Sequence, residues 1–110
     1  AQADSFHPSV LRLIASTVKA AHAHGKWVGV CGAMASETLA VPLLLGLGVD
    51  ELSVSVPLIP AIKAAVREVD LVDCQAIAQQ VLDLESAEQV REALRLYHEA
   101  TVDTSLVLEN

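Results

Sequence analysis

Apolar residues between positions 8 and 24, in the segment PSVLRLIASTVKAAHAH, recur at the spacing of one helix face. These apolar positions are Val10, Leu11, Ile14, Val18 and Ala21. Such spacing predicts an amphipathic helix, because residues three and four apart share one side of a helix. Pro8 suits the first helical turn, and Gly25 suits the left-handed position just beyond a helix end. We therefore predict a helix over residues 8–24.

Two short apolar segments have the pattern of β-strands. WVGVC, residues 27–31, is a continuous apolar run, which is typical of a strand buried on both faces, and we expect it to end at Gly32. ELSVSV, residues 51–56, alternates Leu52, Val54 and Val56 with polar residues and predicts a second strand.

The segment between these strands, SETLAVPLLLGLG, predicts a second helix. Ser36 is a suitable N-cap, and Gly46 and Gly48 are expected to end the helix. If Ser36 is the cap, Pro42 lies inside the helix, beyond the first turn where a proline is tolerated. We therefore expect either a kink at Pro42 or a helix that begins later than Ser36.

The remaining sequence predicts three further helices. Pro60 opens a short helix that runs to about Val69, and Asp70 can cap LVDCQAIAQQVLDL. Ser86 and Gln89 have the spacing of a capping box ahead of AEQVREALRLYHEA. The last ten residues, TVDTSLVLEN, lack a helical face, and we expect residues 101–110 to form a flexible tail.

The predicted order of helix, strand, helix, strand and helix is typical of right-handed parallel βα units, so the fold class is α/β. Two parallel strands do not form a stable sheet alone, because both of their outer edges stay open. Apolar residues make up 53% of the 110 residues, which is high for a soluble domain of this size. We therefore expect either a piece of a larger protein or an obligate oligomer.

Charge and cysteine content exclude several classes of function. The net charge is −7, and the seven Lys and Arg residues are scattered, so no basic surface for nucleic acid is expected. No apolar run approaches the roughly 20 residues that cross a bilayer, and the chain does not start with a signal-peptide pattern. Two cysteines do not make a disulfide framework, which favours a reducing, cytoplasmic compartment.

Cys31 is the strongest candidate for chemistry, because it ends the first predicted parallel strand where the chain turns into a loop. Active sites of parallel barrels lie at the carboxyl ends of the strands. A free thiol is protonated near neutral pH and still acidic enough to give its proton to a carbon acceptor. The alternative is that Cys31 is a small, buried apolar residue, as free cysteines often are. Cys74 lies on a helix among apolar residues, and we interpret it as structural.

Other polar residues have weaker patterns. His22 and His24 are two positions apart near a helix end, so they point in different directions and are interpreted as exposed rather than as metal ligands. GLGVDE lacks the spacing of a dinucleotide-binding loop and precedes a strand, which indicates a turn.

The second predicted strand also carries polar residues. Asp50 and Glu51 lie at its amino end, which in a barrel contributes to stability rather than catalysis. Ser53 and Ser55 lie on its polar face and would point inward in a barrel, but nothing singles them out.

Three stretches together resemble a known family: HPSVLRLI, AAHAHGKWVGVCGAMA, and LAVPLLLGLGVDELSVSVPLIPAIKAAVRE. They are similar to the C-terminal end of enzyme I of the bacterial phosphoenolpyruvate-dependent sugar phosphotransferase system. The enzyme I module of multiphosphoryl transfer proteins matches equally well, and the resemblance runs from about His7 to Ala100. Pyruvate phosphate dikinase and phosphoenolpyruvate synthase are similar around Cys31 and Gly32 but less so through residues 42–67.

The resemblance implies that residues 1–100 are the C-terminal part of a phosphoenolpyruvate-binding TIM (β/α)8 barrel, with two parallel βα units and a helical tail. The family transfers phosphoryl from phosphoenolpyruvate to a histidine on a separate N-terminal domain, and then to a phosphocarrier protein. The family's barrel also dimerises. By the same resemblance, Cys31 protonates the enolate to give pyruvate.

The family pattern also indicates what these 110 residues lack. The Mg²⁺ ligands, the phosphate-binding arginines and the phosphorylated histidine of the family belong to segments outside this chain. Ala33 stands where the family usually has an acidic residue. We therefore expect the isolated chain to be inactive.

Two alternatives to a phosphotransferase remain open. One is that the chain is a non-catalytic oligomerisation or interaction module. The other is that it is a fragment of a pyruvate phosphate dikinase or phosphoenolpyruvate synthase relative.

Overall fold

The computed structural model describes residues 5–31 and 34–109, and for Ser36 and residues 102–109 it describes the backbone alone. Its strands are β1 (Gly29–Cys31) and β2 (Glu51–Ser53). Its helices are α1 (Pro8–Ala23), α2 (Val41–Gly46), α3 (Ile59–Arg67), α4 (Leu71–Leu82) and α5 (Ala87–Glu109). Short 3₁₀ turns cover Met34–Ser36, Thr38–Ala40 and Val56–Leu58. The predicted alternation of helices and strands in an α/β chain is confirmed.

Helix α1 begins and ends close to the predicted residues. Pro8 occupies its first turn, and the His7 ring accepts a hydrogen bond from the Ser9 amide at 3.1 Å, which caps one of the unpaired N–H groups there. Gly25 has a φ of +69° just beyond the helix, the left-handed conformation that glycine adopts without strain.

Strands β1 and β2 form a parallel pair in which Gly29, Val30 and Cys31 lie opposite Glu51, Leu52 and Ser53. The predicted burial of the first strand on both faces is wrong, because Gly29 and Cys31 are exposed and only the alternate side packs on the core. The second strand is shorter than predicted, since the chain enters a 3₁₀ turn at Val56, which is 77% exposed. Pro57 follows in that turn, and proline has no N–H to continue a strand ladder.

Helix α2 begins at Val41, so the prediction of Ser36 as its N-cap is wrong and the later start is confirmed. Pro42 lies in the first turn of α2, where its missing N–H leaves no hydrogen bond unmade. A helix that ran from Ser36 would place the proline ring against the carbonyl four residues earlier. The chain instead reaches α2 through two 3₁₀ turns.

The hydrophobic core lies where α2 packs on α4, with α1 and α5 alongside. Gly46, the last residue of α2, brings the two helices together: a Cβ at this position would lie 2.0 Å from the Cys74 carbonyl oxygen. The fully buried side chains around this contact include Leu43, Leu44, Val81 and Leu94. This helix packing, rather than the short sheet, forms most of the core.

The caps of the last two helices agree with the sequence pattern. Asp70 accepts hydrogen bonds from the amides of Val72 at 2.8 Å and Asp73 at 3.4 Å, and the Ser86 hydroxyl accepts one from the Gln89 amide at 3.1 Å. The return bond of the capping box differs from the expected one, because the Gln89 side chain accepts from the amide of Glu85, at 2.8 Å.

Helix α5 continues through Glu109, so residues 101–109 are helical although their sequence lacks a clear helical face. No glycine or proline occurs between residues 87 and 109, and each added residue gains one helical hydrogen bond. Residue 110 lies outside the described residues, and the flexibility of the segment stays a prediction. Among the described helices, none has the length and apolar character needed to span a membrane.

Candidate active site

Cys31 lies at the carboxyl end of β1, directly opposite Ser53 of β2. Its side chain is exposed, so the alternative of a buried apolar residue at this strand end is wrong. Ligands of parallel sheets bind beyond the carboxyl ends of the strands, and the thiol lies at that end of this sheet.

The 3₁₀ turn Met34–Ser36 packs against both strands at this end of the sheet. Met34 and Ala35 are buried, with 6% and 0% of their surfaces exposed, and they anchor the turn in the core. Gly32 and Ala33, which the sequence singled out beside Cys31, lie outside the described residues.

An ion pair joins the next part of this loop to helix α5. Arg91 Nη1 lies 3.4 Å from Glu37 Oε2, and the Arg91 guanidinium carbon lies 4.1 Å from the centre of the Phe6 ring. Sequence reasoning missed these contacts, because pairs so far apart in the chain leave no periodic signal.

Cys74 is buried in α4 behind the Gly46 contact, and its predicted structural role agrees with that position. Burial raises the pKa of the Cys74 thiol, and a hydrogen bond with Tyr97 opposes the rise. Burial also raises the pKa of Tyr97, with the neighbouring Cys74 as the next cause. A thiol held in its neutral form between helices has little nucleophilic character.

His22 and Asp50 form a pair at the opposite end of the sheet. His22 Nε2 donates to Asp50 Oδ2 at 2.7 Å, and the same carboxylate oxygen accepts from the Val28 amide at 2.8 Å. The pKa of Asp50 is lowered, first by the His22 hydrogen bond and then by the Val28 amide. The pair joins the end of α1 to the amino ends of both strands, which agrees with the predicted stabilising position of Asp50. His22 is therefore bound to Asp50 rather than simply exposed.

The other polar candidates are not brought together. His24 is exposed at the end of α1, and Glu51, Ser53 and Ser55 are exposed along and after β2. Gly48 has a φ of +92° in the turn between α2 and β2, so the interpretation of GLGVDE as a turn is confirmed.

The described residues contain no group of three His, Cys, Asp or Glu side chains placed to hold a metal ion. The Mg²⁺ of the resembling family therefore does not fit the donors in this part of the chain.

An open apolar groove of about 340 Å³ lies between α2, β2 and α3. Its lining includes Leu45, Val49, Leu52, Ile62 and Val66. These residues lie towards the amino end of β2, so the groove is separate from the end of the sheet that carries Cys31.

The sequence places the chain in a class of protein. A family model described as "PEP-utilising enzyme, PEP-binding domain" matches residues 1–71, and the chain belongs to this family of phosphoenolpyruvate-utilising enzymes.

Named relatives agree with this assignment. The chain is 45% identical over 104 residues to the multiphosphoryl transfer protein of Escherichia coli O6:H1, which covers 94% of the chain and 12% of the relative. It is 52% identical over 91 residues to that of Xanthomonas campestris pv. campestris, covering 83% of the chain and 11% of the relative. It is 40% identical over 90 residues to the phosphoenolpyruvate-protein phosphotransferase of Priestia megaterium, and the match covers 82% of the chain and 16% of the relative.

These matches confirm the resemblance seen in the sequence. The chain spans only 11% to 16% of the length of these three relatives.

Proposed function

We propose that this chain is part of a phosphoenolpyruvate-protein phosphotransferase that transfers phosphoryl from phosphoenolpyruvate to a protein histidine in a sugar phosphotransferase system. The observation that carries the proposal is an exposed thiol at the carboxyl end of a parallel strand, in a chain of the phosphoenolpyruvate-utilising family. The printed names of the relatives support the same activity. A phosphocarrier protein is the expected acceptor after the histidine.

Cys31 is the proposed proton donor in this reaction. When the phosphoryl group leaves the enol oxygen of phosphoenolpyruvate, the enolate of pyruvate remains. The thiol gives its proton to the methylene carbon, so a C–H bond forms, the S–H bond breaks and the thiolate is left. The exposure of Cys31 supports this role, because the thiolate can then regain a proton from water.

Mg²⁺ supplies charge neutralisation at phosphoryl groups, but no step is assigned to it through this chain, since the described side chains do not form a metal site. Its ligands are expected in other segments of the protein. For the residues of this chain, the proposal is limited to protonation by Cys31 and to the strands and the 3₁₀ turn that lie beside it.

The barrel is the architecture proposed for the whole protein. β1 and β2 pair only with each other among the described residues, so each has an unpaired outer edge where a further strand would bind. Large apolar side chains also remain exposed, including Trp27 at 68% and Val72 at 71%. Neighbouring βα units would cover such edges and side chains. Dimerisation and a cytoplasmic location belong to the same proposal.

The activity test uses a chimera in which this chain replaces the matching segment of the Priestia megaterium enzyme. We expect the chimera to form pyruvate from phosphoenolpyruvate with Mg²⁺ and a phosphocarrier protein, and the isolated chain to form none. Because general acids typically contribute about 10²- to 10⁴-fold, Cys31→Ala should lower kcat by roughly that factor. Cys74→Ala is the matched control. Full turnover by the Cys31→Ala chimera, folded as judged by circular dichroism, would refute the proton-donor role.

The exposed apolar side chains favour one second candidate, a non-catalytic module that associates with another copy or another barrel. Size-exclusion chromatography with light scattering tests it on the isolated chain. A concentration-dependent dimer together with an inactive chimera would favour this candidate over the phosphotransferase.

A further inference from the structure

Arg91 connects three segments that are distant in sequence. From helix α5 its guanidinium reaches the carboxylate of Glu37, at 3.4 Å, and also covers the ring of Phe6, at 4.1 Å from the ring centre. Phe6 lies just before α1, and Glu37 lies in the loop between Cys31 and α2. A planar guanidinium suits both contacts, because it stacks on an aromatic face and still donates from its edge.

The helix that carries Arg91 and the aromatic ring that it contacts are both packed in the core. Two neighbours of Arg91 in α5, Val90 directly before it and Leu94 one turn later, are buried in the core, with 0% and 1% of their surfaces exposed. Phe6 is also buried, with 1% exposed. The Arg91 side chain therefore extends from a packed helix and its guanidinium lies against a packed ring, which restricts its conformations before it contacts Glu37.

Glu37 occupies a critical position in the loop. It is the extended residue between the two 3₁₀ turns, with φ −93° and ψ 119°. Its N–H donates to the Met34 carbonyl at 3.2 Å, and its own carbonyl accepts from the Ala40 amide at 3.0 Å. A contact that fixes Glu37 thus fixes the orientation of the two turns relative to each other.

The first of these turns is the one that packs against β1 and β2 at the carboxyl end of the sheet. The second packs against α5, the helix that carries Arg91. We propose that Arg91 is a positioning residue that, through Glu37, holds the loop over residues 34–40 against the end of the sheet where Cys31 lies. The consequence for catalysis rests on the proposed function, whereas the holding of the loop does not.

Arg95 provides a matched control on the same helix. It pairs with Glu92 and, at 3.1 Å, with Glu99, both of which also belong to α5. Replacing Arg95 by Met removes a cation and two ion pairs without touching the loop. Any effect of Arg91→Met that Arg95→Met lacks is therefore due to contacts outside the helix.

The first experiment measures amide hydrogen exchange by NMR on the 110-residue chain. Because exposed ion pairs and cation–π contacts are individually weak, Arg91→Met should speed exchange of the Glu37 and Ala40 amides by about five-fold. The amide of Cys74 in α4, which bonds to Asp70, reports global opening and is used to normalise the rates. Arg95→Met should leave the normalised loop rates within about two-fold.

Two further variants keep the result interpretable. Glu37→Gln removes the charge at the other end of the pair and should loosen the same two amides. Arg91→Lys retains a cation for Glu37 and Phe6 and should restore part of the protection. Loop rates that are the same in Arg91→Met and Arg95→Met, or no rescue by Lys, would overturn the positioning role.

The second experiment tests the consequence in the chimera. Arg91→Met should lower kcat by about five-fold and leave the KM for phosphoenolpyruvate within two-fold, because Arg91 acts on the loop and not on the substrate. An unchanged kcat would overturn the link between the loop and Cys31. Failure of the proposed function is seen separately, as full activity of Cys31→Ala, and it leaves the hydrogen-exchange result standing.

Discussion

The contact between α2 and α4 at Gly46 gives the sharpest prediction of stability. A Cβ at this position would lie 2.0 Å from the Cys74 carbonyl oxygen, 2.5 Å from the Cys74 carbonyl carbon and 2.9 Å from the Ala78 Cβ. Real contacts of a Cβ do not fall below 3.0 Å, so Gly46→Ala forces the helices apart. The main obstacle is backbone, and no side-chain rotation relieves it.

The expected cost follows from two opposing effects. Overpacking of a core typically costs about 1–3 kcal/mol, and a gap of about 1 Å between the helices also forfeits a quarter to a half of the dispersion energy of atoms along the interface. Alanine is a better helix former than glycine by up to about 1 kcal/mol. We therefore expect Gly46→Ala to lower the free energy of unfolding by about 2 kcal/mol.

The assay is urea unfolding followed by circular dichroism at 222 nm, since the single tryptophan, Trp27, is already 68% exposed and is a poor probe of burial. Gly25→Ala is the control: nothing lies within 4 Å of a Cβ there, and its φ of +69° alone should cost about 1 kcal/mol. Ala78→Gly in the Gly46→Ala background should not rescue stability, because the Cys74 oxygen remains in place. A Gly46→Ala chain as stable as the parent would refute the close approach of the helices.

Three other predictions concern single side chains. A neutral alkylating reagent should modify exposed Cys31 in the folded chain and reach Cys74 only in urea, because Cys74 is buried and its raised pKa disfavours the thiolate; mass spectrometry of the peptides checks this. Asp50→Asn should lower the thermal midpoint at neutral pH, through loss of the His22 pair. Since folding lowers the pKa of Asp50 from 3.8, its contribution is present above that value and lost as the pH falls through the lower folded pKa. The difference in midpoint between variant and parent should therefore vanish on acidification, and a constant difference would contradict the assignment. Asp70→Ala should cost about 1 kcal/mol in urea unfolding through loss of the α4 cap, and no loss would show that the cap is dispensable.

The family could be predicted from the sequence because the resemblance depends on the order of residues in short stretches, such as the one that contains Cys31 and Gly32. The order of helix and strand around Cys31 predicted the parallel pair, and the structure confirms it. The proton-donor role of Cys31 stays a proposal, since a strand end supplies position and exposure but not chemistry. The contact of Arg91 with Glu37 could not be predicted, because it depends on how α5 packs beside the loop.

Local sequence signals were sufficient to predict the ends of helices whose caps lie next to them in the sequence. Pro8 and Gly25 bound α1, and Asp70 begins α4, because caps and proline geometry act within one turn of the chain. The same local chemistry made the later start of α2 foreseeable from Pro42.

Tertiary structure decided the features that depend on neighbours in space. The burial of a strand is set by what covers its two faces, so the apolar run ending at Cys31 was assigned two buried faces when only one packs on the core. The pairing of His22 with Asp50 and the approach of Gly46 to Cys74 likewise arise from helix placement. Sequence patterns report the intrinsic preference of a segment, whereas these contacts require the distances that only the packed chain defines.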